Sequence, residues 1–102
     1  MLRTTDDSRF DDDVNAAPLV LVEFGSSWCP PCKAIKPALE AMASARPEVP
    51  VLYLDVDESQ AVTQRFGVRS IPTLIAFRNG KATAQHVGAA PRAKLEALLS
   101  ER

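Results

Sequence analysis

The architecture turns on the segment Leu19-Val20-Leu21-Val22-Glu23-Phe24-Gly25-Ser26-Ser27-Trp28-Cys29-Pro30-Pro31-Cys32-Lys33. Its opening run, Leu19 to Phe24, is almost continuously apolar, as expected of a central strand covered on both faces. The strand feeds a C-x-x-C, Cys29 to Cys32, at what the pattern reads as the start of a helix. These are the only 2 cysteines among 102 residues. Residues three apart on a first helical turn have Cα atoms roughly 5 Å apart, inside the window of about 4.4–6.8 Å that a disulfide tolerates. Such a pair can close and reopen with little backbone movement, which points to a redox dithiol. Cys29 also meets the unpaired N–H groups and positive end of the helix, which favour a thiolate.

Downstream, Ile35, Ala38, Leu39 and Met42 follow helical spacing from about Pro31 to Ala45. Pro37 lies inside that run and should kink the helix there. Pro47 and Pro50 frame a loop, and Val51 to Val56 reads as a second buried strand. Asp57 to Phe66 reads as a shorter helix stopped by Gly67. Thr73 to Phe77 and Ala82 to Val87 are strands joined by Asn79-Gly80, a hairpin signal. Pro91 to Leu99 is a final helix with Leu95, Leu98 and Leu99 facing inward. Upstream, Thr5 or Asp6 can cap a short helix in which Phe10 and Val14 share a face, and Ala16-Ala17-Pro18 ends it. The order is therefore helix, strand, helix, strand, helix, strand, strand, helix. It predicts an α/β fold in which a mixed sheet carries helices on both faces, its parallel part made by crossovers and its antiparallel part by the hairpin.

The chain resembles the thioredoxin family over nearly its whole length. The run Val22 to Lys33 is similar to the family's active-site segment. Gly67-Val68-Arg69-Ser70-Ile71-Pro72-Thr73-Leu74 is similar to its cis-proline loop, Phe77 to Lys81 to its hairpin, and Val87-Gly88-Ala89 to its glycine near the site. Thr5 to Ser8 with Phe10 and Val14 fits its first helix. The resemblance implies the thioredoxin fold, a central mixed sheet of four to five strands flanked by four helices. It implies a protein-disulfide reductase that binds no cofactor and is restored to its dithiol by thioredoxin reductase, a flavoprotein drawing on NADPH. Its clients would be proteins bearing disulfides.

Composition sets the remaining bounds. The length suits one domain, 1–102, able to bury a small core. A net charge of −1 supplies no field to attract nucleic acid or an anionic membrane. The acidic cluster Asp6, Asp7, Asp11, Asp12 and Asp13 reads as a solvated helix face. No apolar run reaches transmembrane length, and Met1 to Asp7 lacks a hydrophobic signal segment, so the expectation is a cytoplasmic monomer. In reducing cytosol a single cysteine pair is more often catalytic than structural. A closed zinc site needs about four ligands, and the sequence offers only the two cysteines and His86, so no metal is expected.

Within this frame Cys29, nearest the helix start and the more exposed of the pair, is the expected nucleophile, and Cys32 the resolving thiol. Pro30-Pro31 departs from the family's usual Gly-Pro. It pushes Cys29 toward an extended N-cap geometry, leaves the Cys32 N–H free for the Cys29 sulfur, and should delay the helix start by one residue. The dipeptide is either a tuning device or neutral variation. Trp28 can shield the sulfur and contact a partner, or simply pack. The family usually has a second tryptophan where this chain has Gly25. Glu23 stands where thioredoxins usually bury an Asp behind the second cysteine. It is read either as a general acid/base with a raised pKa or as an edge-facing carboxylate. The family's lysine near that acid is replaced by Tyr53, which can hydrogen-bond Glu23. Lys36 is expected to point outward. Pro72 is cis by resemblance. Ile71 and Thr73 can offer backbone groups to an extended substrate, and Gly88 suits close approach in the same groove. Two rival functions stand beside the general reductase. One is a dedicated reductase or oxidase of an extracytoplasmic maturation pathway. The other is a binding subunit in which the cysteines are incidental.

Overall fold

The computed structural model describes residues 2–101. Met1 and Arg102, the two ends of the expected 1–102 domain, lie outside them. Elements run in the order β1 (Arg3–Thr5), α1 (Phe10–Val14), β2 (Leu19–Gly25), α2 (Pro30–Ala34), α3 (Lys36–Ala45), β3 (Val51–Asp55), α4 (Gln60–Arg65), β4 (Thr73–Arg78), β5 (Lys81–Val87) and α5 (Arg92–Ala97), with a final 3-10 turn at Leu98–Ser100. Among the described residues the sheet has five strands in the order β1-β3-β2-β4-β5. β1 and β2 both run parallel to β3, while β4 runs antiparallel to β2 and β5.

β2 sits in the middle, and every one of its residues is buried. Its alternation sorts the core into two. Leu19 and Leu21 face Ile35, Leu39, Met42, Leu95, Leu98 and Leu99 on the α2–α3 and α5 side. Val20, Val22 and Phe24 face Phe10, Val14 and Val62 on the α1 and α4 side. This is the mixed, doubly covered sheet that the apolar pattern predicts.

Four expectations need correction. The chain opens with a strand, β1, ahead of its first helix. At three residues it is too short for an alternating signal, and it exists because β3 offers it a free edge. The active-site helix starts at Pro30 rather than one residue later. Cys29 takes up the extended geometry that a residue before proline prefers, with φ −97° and ψ 106°, so the proline pair begins the helix directly. The helix then breaks at Ile35, and Pro37 falls in the first turn of α3, where a missing N–H costs little. The acidic cluster is more than a solvated face. Asp7 accepts from the N–H groups of Ala61 and Val62 at 3.2 and 2.9 Å, capping α4 from 54 residues away, and Asp11 pairs with Arg65 at 2.9 Å.

Candidate active site

One end of the sheet gathers the residues of interest. β2 and β3 finish there, β4 starts there, and β5 ends there, with Gly25 opposite Asp55, Phe24 opposite Thr73, and Thr73 opposite Val87. The loop from Ser26 to Trp28 carries the chain from β2 to the head of α2. Cys29 is the N-cap of α2, and its Sγ accepts a hydrogen bond from the Cys32 N–H at 3.2 Å. Of the usual capping donors, Pro31 has no N–H, so Cys32 supplies the bond. Cys29 and Cys32 form a disulfide with Cα atoms 5.3 Å apart. The expected difference in exposure is slight: Cys29 is 3% exposed and Cys32 2%.

The Ile71–Pro72 peptide is cis. The Pro72 carbonyl accepts from the Gly88 N–H at 2.8 Å, tying the start of β4 to the end of β5. Thr73 turns its hydroxyl back to the Ser70 carbonyl at 2.6 Å. Gly88 has φ +99°, a conformation that side chains resist, and a Cβ there would meet nothing within 4 Å. Glycine is thus demanded by the backbone, and the space before it stands open. Trp28 is 65% exposed. Its Nε1 donates to Asp57 at 2.8 Å, which fixes a ring that packs little. Pro30 and Pro31 are exposed beside it.

Glu23 is wholly buried, and neither carboxyl oxygen has a hydrogen-bond partner among the described residues. The expected bond from Tyr53 is absent, although Tyr53 lies directly opposite in β3. Burial pushes the Glu23 carboxyl up to about 7, against a smaller opposing pull from Lys36. Burial, with Asp55 and Glu23 adding to it, pushes the Tyr53 hydroxyl up to about 12, so it stays neutral. Lys36 corrects the sequence reading. It is exposed, yet its ammonium lies 5.2 Å from the centre of the Tyr53 ring and is the cation that acts on Glu23. The sulfur and the acid are close. A Cβ built on Gly25 would lie 3.2 Å from both Cys32 Sγ and Glu23 Oε2, so the two atoms are within twice that distance of each other.

Two contributors escape the sequence reading. Lys36 stands four residues after Cys32, a spacing that places it over the same helical face, but the break at Ile35 hides its direction. Asp57 has no local signal, since the only hint is that an indole N–H seeks an acceptor. Among the described residues no group of three or more His, Cys, Asp or Glu side chains is placed to hold a metal ion, and no helix is long and apolar enough to cross a membrane.

Comparison with known proteins agrees with this geometry. The thioredoxin family model matches residues 1–101. A thioredoxin of Chlamydia muridarum is 43% identical over 101 residues, covering 99% of this chain and 98% of that protein. A thioredoxin of Alicyclobacillus acidocaldarius is 40% identical over 99 residues, covering 96% and 94%. The solved structure of a Plasmodium falciparum thioredoxin superposes with a TM-score of 0.87 at 29% identity, covering 96% of each chain. A match spanning nearly every residue, with the sulfur pair intact at the head of α2, means that the chain belongs to the thioredoxin family and is a dithiol–disulfide oxidoreductase.

Proposed function

We propose that this chain, acting as one domain and one copy in the cytoplasm, reduces disulfides of client proteins, with Cys29 as nucleophile and Cys32 as resolving thiol. The observation that carries the division of labour is the Cys32 N–H bonded to Cys29 Sγ, because that donor favours the thiolate at Cys29. The Cys29 thiolate attacks one sulfur of the client disulfide, and the other client sulfur leaves as a thiolate. Cys32 gives its proton to the Glu23 carboxylate and attacks Cys29 Sγ, which releases the second client thiol and closes the Cys29–Cys32 disulfide. A carboxyl poised at about 7 can both take and return that proton near neutrality. Electrons return from NADPH through thioredoxin reductase, and the domain itself holds no cofactor.

The client segment lies across Trp28, Pro30, Pro31, Ile71, Pro72, Thr73 and Gly88. The open space at Gly88 and the exposed indole of Trp28 support that groove. Insulin reduction driven by NADPH and a thioredoxin reductase tests the whole reading. Cys29→Ser should abolish it, whereas Cys32→Ser should accumulate a mixed disulfide on Cys29. A Cys29→Ser protein as active as the parent would end the reading. The reduction potential separates general reduction from extracytoplasmic maturation, a strongly reducing value favouring the former.

A further inference from the structure

Lys36 has an unusual seat. It is exposed, yet among the described residues it forms no ion pair. Its ammonium sits over the Tyr53 ring instead, 5.2 Å from the centre, a cation–π geometry worth about 0.5–1 kcal/mol at an exposed site. Tyr53 is half-buried and lies directly opposite Glu23 across the β2–β3 ladder, so the two side chains stand on one face of the sheet. Tyr53 Cε1, Glu23 Oε2 and Cys32 Sγ converge on the backbone of Gly25, each 3.2 Å from where a Cβ would stand. One ring thus meets both groups. Its face carries the ammonium and its edge borders the acid.

The other charges acting on that ring are negative. Asp55 acts most strongly on the Tyr53 hydroxyl, followed by Glu23, Glu58 and Asp57. Asp55 borders the same cleft as Lys36, but its Oδ1 accepts from the N–H groups of Asp57 and Glu58, and no Lys36–Asp55 pair forms. Lys33 borders the cleft too, but among the described residues no aromatic face holds it. On the other side of Glu23, β4 places Leu74 in register, and β5 places His86 beyond it, two strands away. The α2–α3–α5 layer is apolar at Ile35, Leu39 and Leu95. Of the charged side chains around Glu23, Lys36 pulls its carboxyl toward the charged form, against the larger effect of burial.

We infer that Lys36, seated on the face of Tyr53, is the counter-charge of Glu23: it raises the share of that acid present as carboxylate near neutrality, and through the acid it is a positioning residue for the resolving step. The inference rests on the proton role given to Glu23 above. It assigns Tyr53 a part as well. The ring face holds the ammonium on the acid's side of the cleft, and the hydroxyl is not needed for this. Without Lys36 the acid faces the carboxylates of Asp55, Asp57 and Glu58 with no cation held between them. It then keeps its proton to higher pH and accepts one less readily from Cys32. The proton balance is unchanged. Cys32 loses one proton, Glu23 gains it, and Lys36 keeps its own.

The first test uses the oxidised protein, in which neither cysteine titrates. Carbon-13 NMR follows the Glu23 carboxyl, its signal identified by its loss in Glu23→Gln. In Lys36→Gln the midpoint should rise by about 0.5 pH, as expected for one unit charge acting through a partly wet path. Lys36→Glu should raise it further. Lys36→Arg and Tyr53→Phe should keep the parent midpoint, because a cation and a ring face both remain. In a Tyr53→Leu background, which has no ring face, adding Lys36→Gln should move the midpoint little. A midpoint unmoved by Lys36→Gln, or a full shift in the Tyr53→Leu background, would overturn the inference. The second test times resolution of the Cys29 mixed disulfide in single turnover with insulin. Lys36→Gln should be about two-fold slower than the parent near neutrality, and should match it about two pH units higher, where Glu23 is ionised in both. A shifted carboxyl with an unshifted rate profile would uphold Lys36 as the counter-charge and overturn instead the proton role of Glu23 in the reading above.

Discussion

At Glu23 the chain keeps an acid inside an apolar strand, and the cost of that acid depends on pH. Its carboxyl titrates near 4.5 when unfolded and at about 7 when folded. Below the first value both states hold the proton and Glu23 costs no ionisation energy. Between the two values the folded state keeps a proton that the unfolded state has released, so stability falls as pH rises. Above the folded value the whole penalty is present, about 3 kcal/mol. Glu23→Gln cannot titrate, so its stability relative to the parent should improve by about 3 kcal/mol between about pH 4.5 and pH 8 in urea unfolding. A difference independent of pH would mean that Glu23 is not buried as an acid. Trp28 gives a second prediction at this scale, since it is the only tryptophan in the chain. Asp57→Ala removes the acceptor of its indole N–H. Fluorescence anisotropy decay should then gain a fast local component, while stability changes by less than about 1 kcal/mol because the pair is exposed. Unchanged anisotropy would show that packing alone holds the ring. Cys29, Cys32 and Glu23 stand out in the sequence because each breaks a local pattern, whereas the cis bond at Pro72 is legible only through the resemblance to the family. Lys36 and Asp57 are not legible, because their roles come from a helix break and from a contact across 29 residues.

Helix α4 shows how an element can borrow its terminus from elsewhere. Ser59 occupies its N-cap position, yet the Ser59 hydroxyl has no hydrogen-bond partner among the described residues. Asp7 does the capping from the loop between β1 and α1, accepting from two first-turn N–H groups. The Asp11–Arg65 pair and the packing of Phe10 on Phe66, with ring centres 5.5 Å apart, bind the same two segments together. Loss of the cap should therefore cost stability although Asp7 belongs to no core. Asp7→Ala should destabilise by about 1 kcal/mol, lowering the melting temperature by about 4–8 °C. Asp12→Ala, at an exposed position of the same acidic run, should stay within about 0.5 kcal/mol of the parent. Equal effects would return the cluster to the solvated face that charge patterning suggests. That patterning cannot distinguish Asp7 from Asp12, because the difference lies in which helix end each one meets. Elements with strong periodicity, such as β2 and the α2–α3 run, are legible for the opposite reason. Their burial is written into their own residues.

In the whole molecule, β2 joins two cores that no other strand holds together so completely. Residues alternate between the α2–α3–α5 side and the α1–α4 side with none exposed, so neither layer can leave without uncovering the strand. Unfolding should be a single transition. Leu39→Ala on one side should cost about 2–5 kcal/mol and Phe10→Ala on the other about 3–5 kcal/mol. Both should move the same midpoint, by far-UV and near-UV circular dichroism alike. The redox state should act on that transition as a unit too. The disulfide spans a sequence separation of only 3, so the unfolded chain loses little loop freedom when it closes. For so short a loop the chain-entropy estimate is about 2 kcal/mol in favour of the oxidised protein. Because the disulfide ties the cap of α2 to the first turn of the helix directly after β2, its reduction should shift the denaturant midpoint without changing the slope. A reduced protein that loses helix signal before tertiary signal would instead mean that α2 and α3 melt as a separate unit. The cooperativity assigned here to β2 would then be wrong.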